Sequence, residues 1–241
     1  MPPLLLALIG LAACAAGLLG LRRVGPGYRI ARTLIAAPQM AIGDLPAAIE
    51  RGEPYVRVRG RIASDEEFPD ENERPLVYRR RRLELAEDPA GRRWRVLEDE
   101  IHAVPFGLEE RAAYAAVDVA RLDEGLVVIA RESTGTAADA PDRVPTGTPS
   151  ATPLRHRVHQ VSAVEQAYVA GVPTIAADGT PTLTAGAGRP LILATLELDE
   201  AMRLLASGRR RTVAGAAVAL VAGLAFLALG LALAIADLAI A

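Results

Sequence analysis

The sequence predicts an α+β membrane protein: two transmembrane helices flanking one predominantly β domain with short helices. Three observations predict it. Residues 213–236 are apolar throughout and carry no charge, a run longer than the roughly 20 residues a spanning helix needs. Residues 3–21 form a second apolar run, closed by Arg22 and Arg23. Between them, residues 24–208 contain a series of short stretches in which apolar and polar residues alternate, the period of half-buried strands.

The composition bounds the function. The chain has 241 residues, 51% hydrophobic but only 4% aromatic. The middle segment is long enough for one domain with its own core. All 27 basic residues are Arg, which with the abundant Ala points to a GC-rich, bacterial coding source. The segment between the runs is near neutral, so no global field draws it to nucleic acid. The single cysteine, Cys14, lies in the first apolar run. It allows no internal disulfide.

The first run has no positive residue ahead of it, as a cleaved secretory signal requires. It reads instead as an uncleaved transmembrane helix. Its Leu11-Ala12-Ala13-Cys14 tetrad has the look of a lipoprotein processing site, but the apolar run continues beyond it. Arg22 and Arg23 flank the first span, and Arg209, Arg210 and Arg211 flank the second. The positive-inside rule then makes this a multi-pass protein of the cell membrane, with a cytoplasmic central domain and both termini outside. Small-residue spacings such as Gly215, Ala219 and Gly223, or Ala13 and Gly17, would let spanning helices pack closely and form a homo-oligomer.

Within the middle segment, residues 28–37 form an amphipathic connector. Asp44 is placed to cap a short helix over 45–50. Residues 55–62 alternate Val56, Val58 and Ile62 with Arg57, Arg59 and Arg61, which is a strand. An acidic loop (64–74) leads to a second strand over 75–85. Shorter strands are expected at 92–97, 101–108, 113–119 and 126–130. Residues 133–153 are rich in Thr, Pro, Ala and Gly and read as a flexible loop. Strands resume at 154–161, at 167–175 and 181–185 around the Asp178-Gly179 turn, and at 190–195. Residues 198–207 are helical.

The motif search excludes more than it finds. One Cys and three His cannot build a double zinc site of the RING kind or a Cys-only zinc site. There is no H-E-x-x-H, G-x-S-x-G or G-x-x-x-x-G-K-[ST]. No catalytic residue, metal site or cofactor is assigned. His156 and His159, three apart on a strand, fall on opposite faces. His159, Ser162 and Glu165 are the residue types of a nucleophile system, but proximity in sequence is not triad geometry. Glu98, Asp99 and Glu100, or Glu109 and Glu110, read as solvated acids. Trp94 and Phe106 read as core. Arg79, Arg80, Arg81 and Arg82 would project alternately from their strand. They offer a site for lipid head groups or another anionic ligand, or else a solvated strand paired with the acidic loop.

The arrangement resembles the GIDE-type, or "beside a membrane" (BAM), domain family, best known as the membrane portion of a mitochondrial E3 ubiquitin ligase. The resemblance rests on the anchor–domain–anchor order, on V-R-V-R-G-R-I (56–62) followed by P-L-V-Y-R-R-R (75–81), and on V-P-F-G-L (104–108). It also rests on the closing block of Asp178-Gly179, R-P-L-I-L-A-T (189–195) and D-E-A-M-R-L-L (199–205). It implies a partner-sensing role beside the bilayer. The ligase's RING has no counterpart in this sequence, so no ligase residue carries over.

The sequence therefore predicts a non-catalytic binding or sensing domain next to the bilayer, with a cytoplasmic protein or an anionic ligand as partner. The alternatives are the membrane subunit of a ubiquitin-ligase-like system whose RING lies in another chain, and a membrane-bound hydrolase with an unrecognised site.

Overall fold

The computed structural model describes residues 3–88, 93–122, 125–206 and 210–240. The chain divides into two compact units, Thr33–Ala201 and a helical unit of Met1–Arg32 with Met202–Ala241.

The larger unit is built on a ring of strands. Its members are β1 (Val56–Ala63), β5 (Gly107–Glu110), β6 (Ala113–Val117), β10 (Gln166–Ile175) and β11 (Pro181–Thr184). The pairings run β1-β5-β6-β11-β10 and return to β1, which closes a five-stranded barrel. Counted in chain order along the ring, the succession is first, second, third, fifth, fourth. Third and fifth are parallel and the other pairs antiparallel, the connectivity of an OB-type Greek-key barrel. Closure requires close backbone approach at Gly60, where a Cβ would meet Glu109 O at 2.8 Å, and at Gly107, where it would meet Ala115 O at 2.3 Å. Gly179 takes φ +87° in the β10–β11 turn, where Thr180 N donates to Asp178 Oδ1, as an Asp-Gly hairpin requires.

Two long insertions into this barrel build a second, open sheet. One lies between β1 and β5 and contributes β2 (Phe68–Pro69), β3 (Pro75–Ala86) and β4 (Trp94–Ala103). The other, between β6 and β10, contributes β7 (Leu126–Val127), β8 (Arg131–Thr136) and β9 (Pro153–Ser162). The sheet runs β2-β3-β9-β8, with β4 also on β3, while β7 joins β12 (Ile192–Ala194) at the barrel. β3 explains how the two parts are joined. Its first residues, Leu76, Val77 and Tyr78, are buried, and Val77 and Tyr78 belong to the barrel core with Val58, Phe106, Leu108, Val161, Val169 and Leu183. Its last residues, Leu83 and Leu85, form a small cluster with Leu154. The four arginines lie between these two apolar anchors. Residues 133–153 are not irregular throughout: they complete β8, form two short 3-10 turns, and set Ala140 and Val144 on that cluster. The stretches expected as strands over 92–97 and 101–108 contribute to one long β4, and Gly107 and Leu108 open β5.

Helix α2 (Leu45–Glu50) forms where expected, but Asp44 makes no side-chain cap. Helix α3 spans Leu198–Ala206. Arg57 on β1 is buried, against the outward exposure that alternation predicts. Its Nη1 donates to Leu34 O at 2.8 Å and its Nη2 to Gln39 Oε1 at 3.1 Å. It thereby serves one of the last carbonyls of helix α1 (Pro3–Ala36), which has no partner within the helix.

The expectation of two flanking transmembrane helices is overturned. Among the described residues only one stretch is long and apolar enough to cross a bilayer, Ala214–Leu233 in α4 (Arg210–Ile240). Only 17% of its apolar window is buried, which separates it from a core helix. The first apolar run belongs to α1, which continues through Arg22 and Arg23 to Ala36. Its described apolar part, Leu8–Gly20, reaches about 20 Å at 1.5 Å per residue, short of the roughly 30 Å of hydrocarbon. The protein is mostly β, a barrel plus a half-barrel, with one candidate membrane helix.

Within the helical unit α1 and α4 run antiparallel, and their contact is made by small residues. A Cβ on Gly17 would meet Leu220 at 2.7 Å, and one on Gly223 would meet Cys14 Sγ at 2.6 Å and Gly10 O at 2.8 Å. Gly215 faces open space, so the contact row is Ala216, Leu220, Gly223 and Leu227.

Candidate functional site

Pairing of β3 with β4 on one edge and β9 on the other puts every second β3 residue on one face. Arg80, Arg82 and Glu84 share a face, and the register sets Arg80 opposite His159, Arg82 opposite Arg157 and Glu84 opposite Arg155. On the outer edges Asp99 of β4 pairs with Arg82, and Glu132 of β8 with Arg157. One row across four strands therefore reads Asp99, Arg82, Arg157, Glu132. Two like charges stand side by side at its centre, which alone is destabilising. A carboxylate closes each end.

The geometry shows how far those carboxylates reach. Asp99 accepts from Arg80 Nε at 2.8 Å and Nη2 at 2.7 Å, and from Arg82 Nε at 3.0 Å. Glu84, itself buried, accepts from Arg155 Nε at 2.7 Å. Glu132 lies 3.9 Å from Arg155 Nη1 and 3.4 Å from Arg157 Nε. The Arg155 guanidinium also lies over the Trp94 ring at 4.2 Å, which makes Trp94 a platform for a cation. Among the described residues, three carboxylates thus lie against these four guanidiniums. The hydrogen bonds from Arg80 come first among the causes that hold the Asp99 carboxyl well below the usual carboxylate range. Burial pushes the His159 imidazole below its ordinary value, and the charges of Arg157, Arg82 and Arg80 push it further, with Glu84 opposing. Two buried nitrogens on this face make no hydrogen bond, His159 Nδ1 and Arg157 Nε.

Arg79 and Arg81 lie on the opposite face. Arg79 sits over the Phe68 ring at 5.4 Å, and Phe68 stacks on His102 at 4.1 Å. Arg81 Nη2 is 3.7 Å from Glu71 of the acidic loop. His156 is on this face too, among Arg143, Arg81, Glu71 and Glu98. Residues Ala140, Val144 and Arg143, the last bound to Glu98, cover that face. The four arginines project alternately in pairs, as a strand's period of two predicts, and the richer cluster forms where Arg80 and Arg82 meet Arg155 and Arg157.

The remaining candidates do not assemble. Ser162 Oγ donates to Pro75 O at 3.0 Å, so its proton is committed to the backbone and not to His159. Glu98 is tied to Arg143, and Glu110 Oε2 accepts from Ile42 N at 3.3 Å. Phe106 is core. Among the described residues no group of three or more metal-ligating side chains converges. A groove of about 800 Å³ beside β1 and β5 is lined by Arg61, Ser64, Glu109 and Tyr114 with the acidic residues 65–67. Its charge does not suit a polyanion. The membrane-flanking Arg22 and Arg23 lie within α1, and Arg210 and Arg211 within α4. Arg209 lies outside the described residues.

Reading β3 alone missed Glu84, Glu132, Arg155 and Arg157. The signal was the alternation R-H-R-V-H in β9, which gains meaning only when β9 is known to lie beside β3. Comparison with family models, with curated proteins and with solved structures finds no match.

Proposed function

We propose that this chain is a non-catalytic, membrane-tethered binding module that receives an anionic ligand on the charged face of its second sheet. The observation that carries this reading is the row Asp99, Arg82, Arg157, Glu132, in which, among the described residues, two adjacent guanidiniums have only shared carboxylates. Arginine is the side chain best matched to oxyanions, through its planar fork of donors. In this reading α4 is the tether, and the arginines ahead of it favour the cytoplasmic side for the β domain. The partner-sensing role implied by the GIDE-type resemblance agrees with this reading. The alternatives of a ubiquitin-ligase-like membrane subunit and of a hydrolase draw on no observed geometry.

The test uses the full chain in zwitterionic nanodiscs, titrated with sulfate, phosphate, a phosphopeptide and anionic lipid. At least one anion is expected to bind, and Arg82→Gln with Arg157→Gln to weaken it tenfold or more. Binding of no anion, or binding indifferent to the double variant, would overturn the proposal.

A further inference from the structure

The charged face holds a more specific feature than an excess of arginine. His159 and Arg157 are two apart on β9, so their side chains share the face on which Arg82 stands opposite Arg157. The Nδ1 of the first and the Nε of the second are both buried and both without a hydrogen bond, although the Nε lies 3.4 Å from the Glu132 carboxylate in an ion pair. Buried nitrogens of this kind are rare in native structures and ask for a partner. Elsewhere the sheet satisfies its charges: Asp99 takes three hydrogen bonds, and Glu84 binds Arg155. Among the described residues of this face, the nitrogens without a hydrogen bond fall at one place, beside the adjacent guanidiniums of Arg82 and Arg157.

We infer that Arg82, Arg157 and His159 form a binding site for a phosphate-class tetrahedral oxyanion, to which His159 Nδ1 and Arg157 Nε donate. The inference rests on the anionic-ligand reading above and names its ligand class and its contacts. A tetrahedral dianion fits the chemistry because it accepts from several donors at once and offsets the repulsion between the two adjacent guanidiniums. A free phosphate ester and a phospholipid head group present the same group.

Binding of this kind is linked to pH through His159. The groups facing the ring are Arg80, Arg82 and Glu84 from β3 and Arg157 from its own strand, with Asp99 of β4 and Glu132 of β8 bound to those arginines. In the empty site burial, and after it the arginines, hold the imidazole pKa below its ordinary value. An anion beside it offsets their field, so the bound form takes up a proton more readily. The ring's pKa is then higher in the complex than in the free protein. Affinity is accordingly greatest below the free-state value and declines as pH rises through the bound-state value.

The experiment titrates the full chain, in nanodiscs of phosphatidylcholine, with inorganic sulfate from pH 5 to 8. Sulfate keeps its charge across that range. The expected result is saturable binding that tightens as pH falls, by at most about tenfold per unit for one linked proton. His159→Gln is expected to flatten the pH dependence, and Arg157→Gln to weaken binding tenfold or more, with circular dichroism unchanged in both. A second arm compares inorganic phosphate with nanodiscs that contain phosphatidic acid. Competition between the two assigns the lipid head group and the free ester to one site. Three results would overturn the inference. If no anion binds at all, this site and the broader reading fail together. If anionic lipid binds but sulfate and phosphate do not, the broader reading stands and this site fails. If sulfate binding is lost in Arg82→Gln but indifferent to pH and to His159→Gln, the assignment of His159 is wrong.

Discussion

Asp99 holds two guanidiniums with one carboxylate, and its partners lie two residues apart on the neighbouring strand. Its hydrogen bonds hold the carboxyl well below the ordinary range. The ion pair therefore stabilises the fold above the ordinary carboxylate pKa of about 4. That contribution disappears as pH falls through the lower, folded-state value. Asp99→Asn should cost about 1 kcal/mol at pH 7, a small figure because the site is partly open to solvent. The difference from wild type should close as denaturation is repeated below pH 4. A difference that is undiminished at pH 2 would assign the effect to packing instead of charge. Arg57 shows the opposite use of the same side chain: it is buried, and its donors serve the end of α1 and Gln39.

At the scale of elements, β3 is a long strand whose two apolar ends are fixed in separate clusters, which holds the charged middle in register against β4 and β9. The helical unit depends on a different device. Between α1 and α4 the side chains are small enough for backbones to touch, and any added carbon at Gly223 meets Cys14 and Gly10. Gly223→Leu should part the two helices. Cys14 is the only cysteine and is half-buried, so maleimide labelling reports the change directly. Labelling should accelerate several-fold in Gly223→Leu and stay at the wild-type rate in Gly215→Leu, where the added side chain meets open space. Equal rates in both variants would show that the contact does not protect the thiol.

At the scale of the whole molecule, the assignment to a membrane rests on Ala214–Leu233 alone. Leu224 lies near the middle of that stretch and is exposed. An arginine there costs about 2.5–3.5 kcal/mol at the centre of a spanning helix. Leu224→Arg should move the chain from the carbonate-resistant membrane pellet to the soluble or aggregated fraction, while Glu50→Arg on α2 should not. Wild-type protein that stays in solution without detergent would remove the basis for tethering. The barrel itself is indifferent to this question, since its ring of pairings closes within the larger unit.

Local periodicity was enough to determine that the middle of this chain is a β domain, because a strand's two faces are written into residues i and i+2. It placed β1, β3, β9, β10 and β11 within a few residues, and it placed the Asp178-Gly179 turn. It also put His156 and His159 on opposite faces. It did not determine which strands are neighbours, since pairing joins residues far apart in the chain. Only the tertiary structure showed that two insertions into a barrel meet to form one sheet. That meeting brings Asp99, Arg82, Arg157 and Glu132 into a single row. The same limit explains the first apolar run. Composition marks where a helix is apolar, but its continuation through Arg22 and Arg23 to Ala36, and the contacts Gly17 and Gly223 make, are decided by packing.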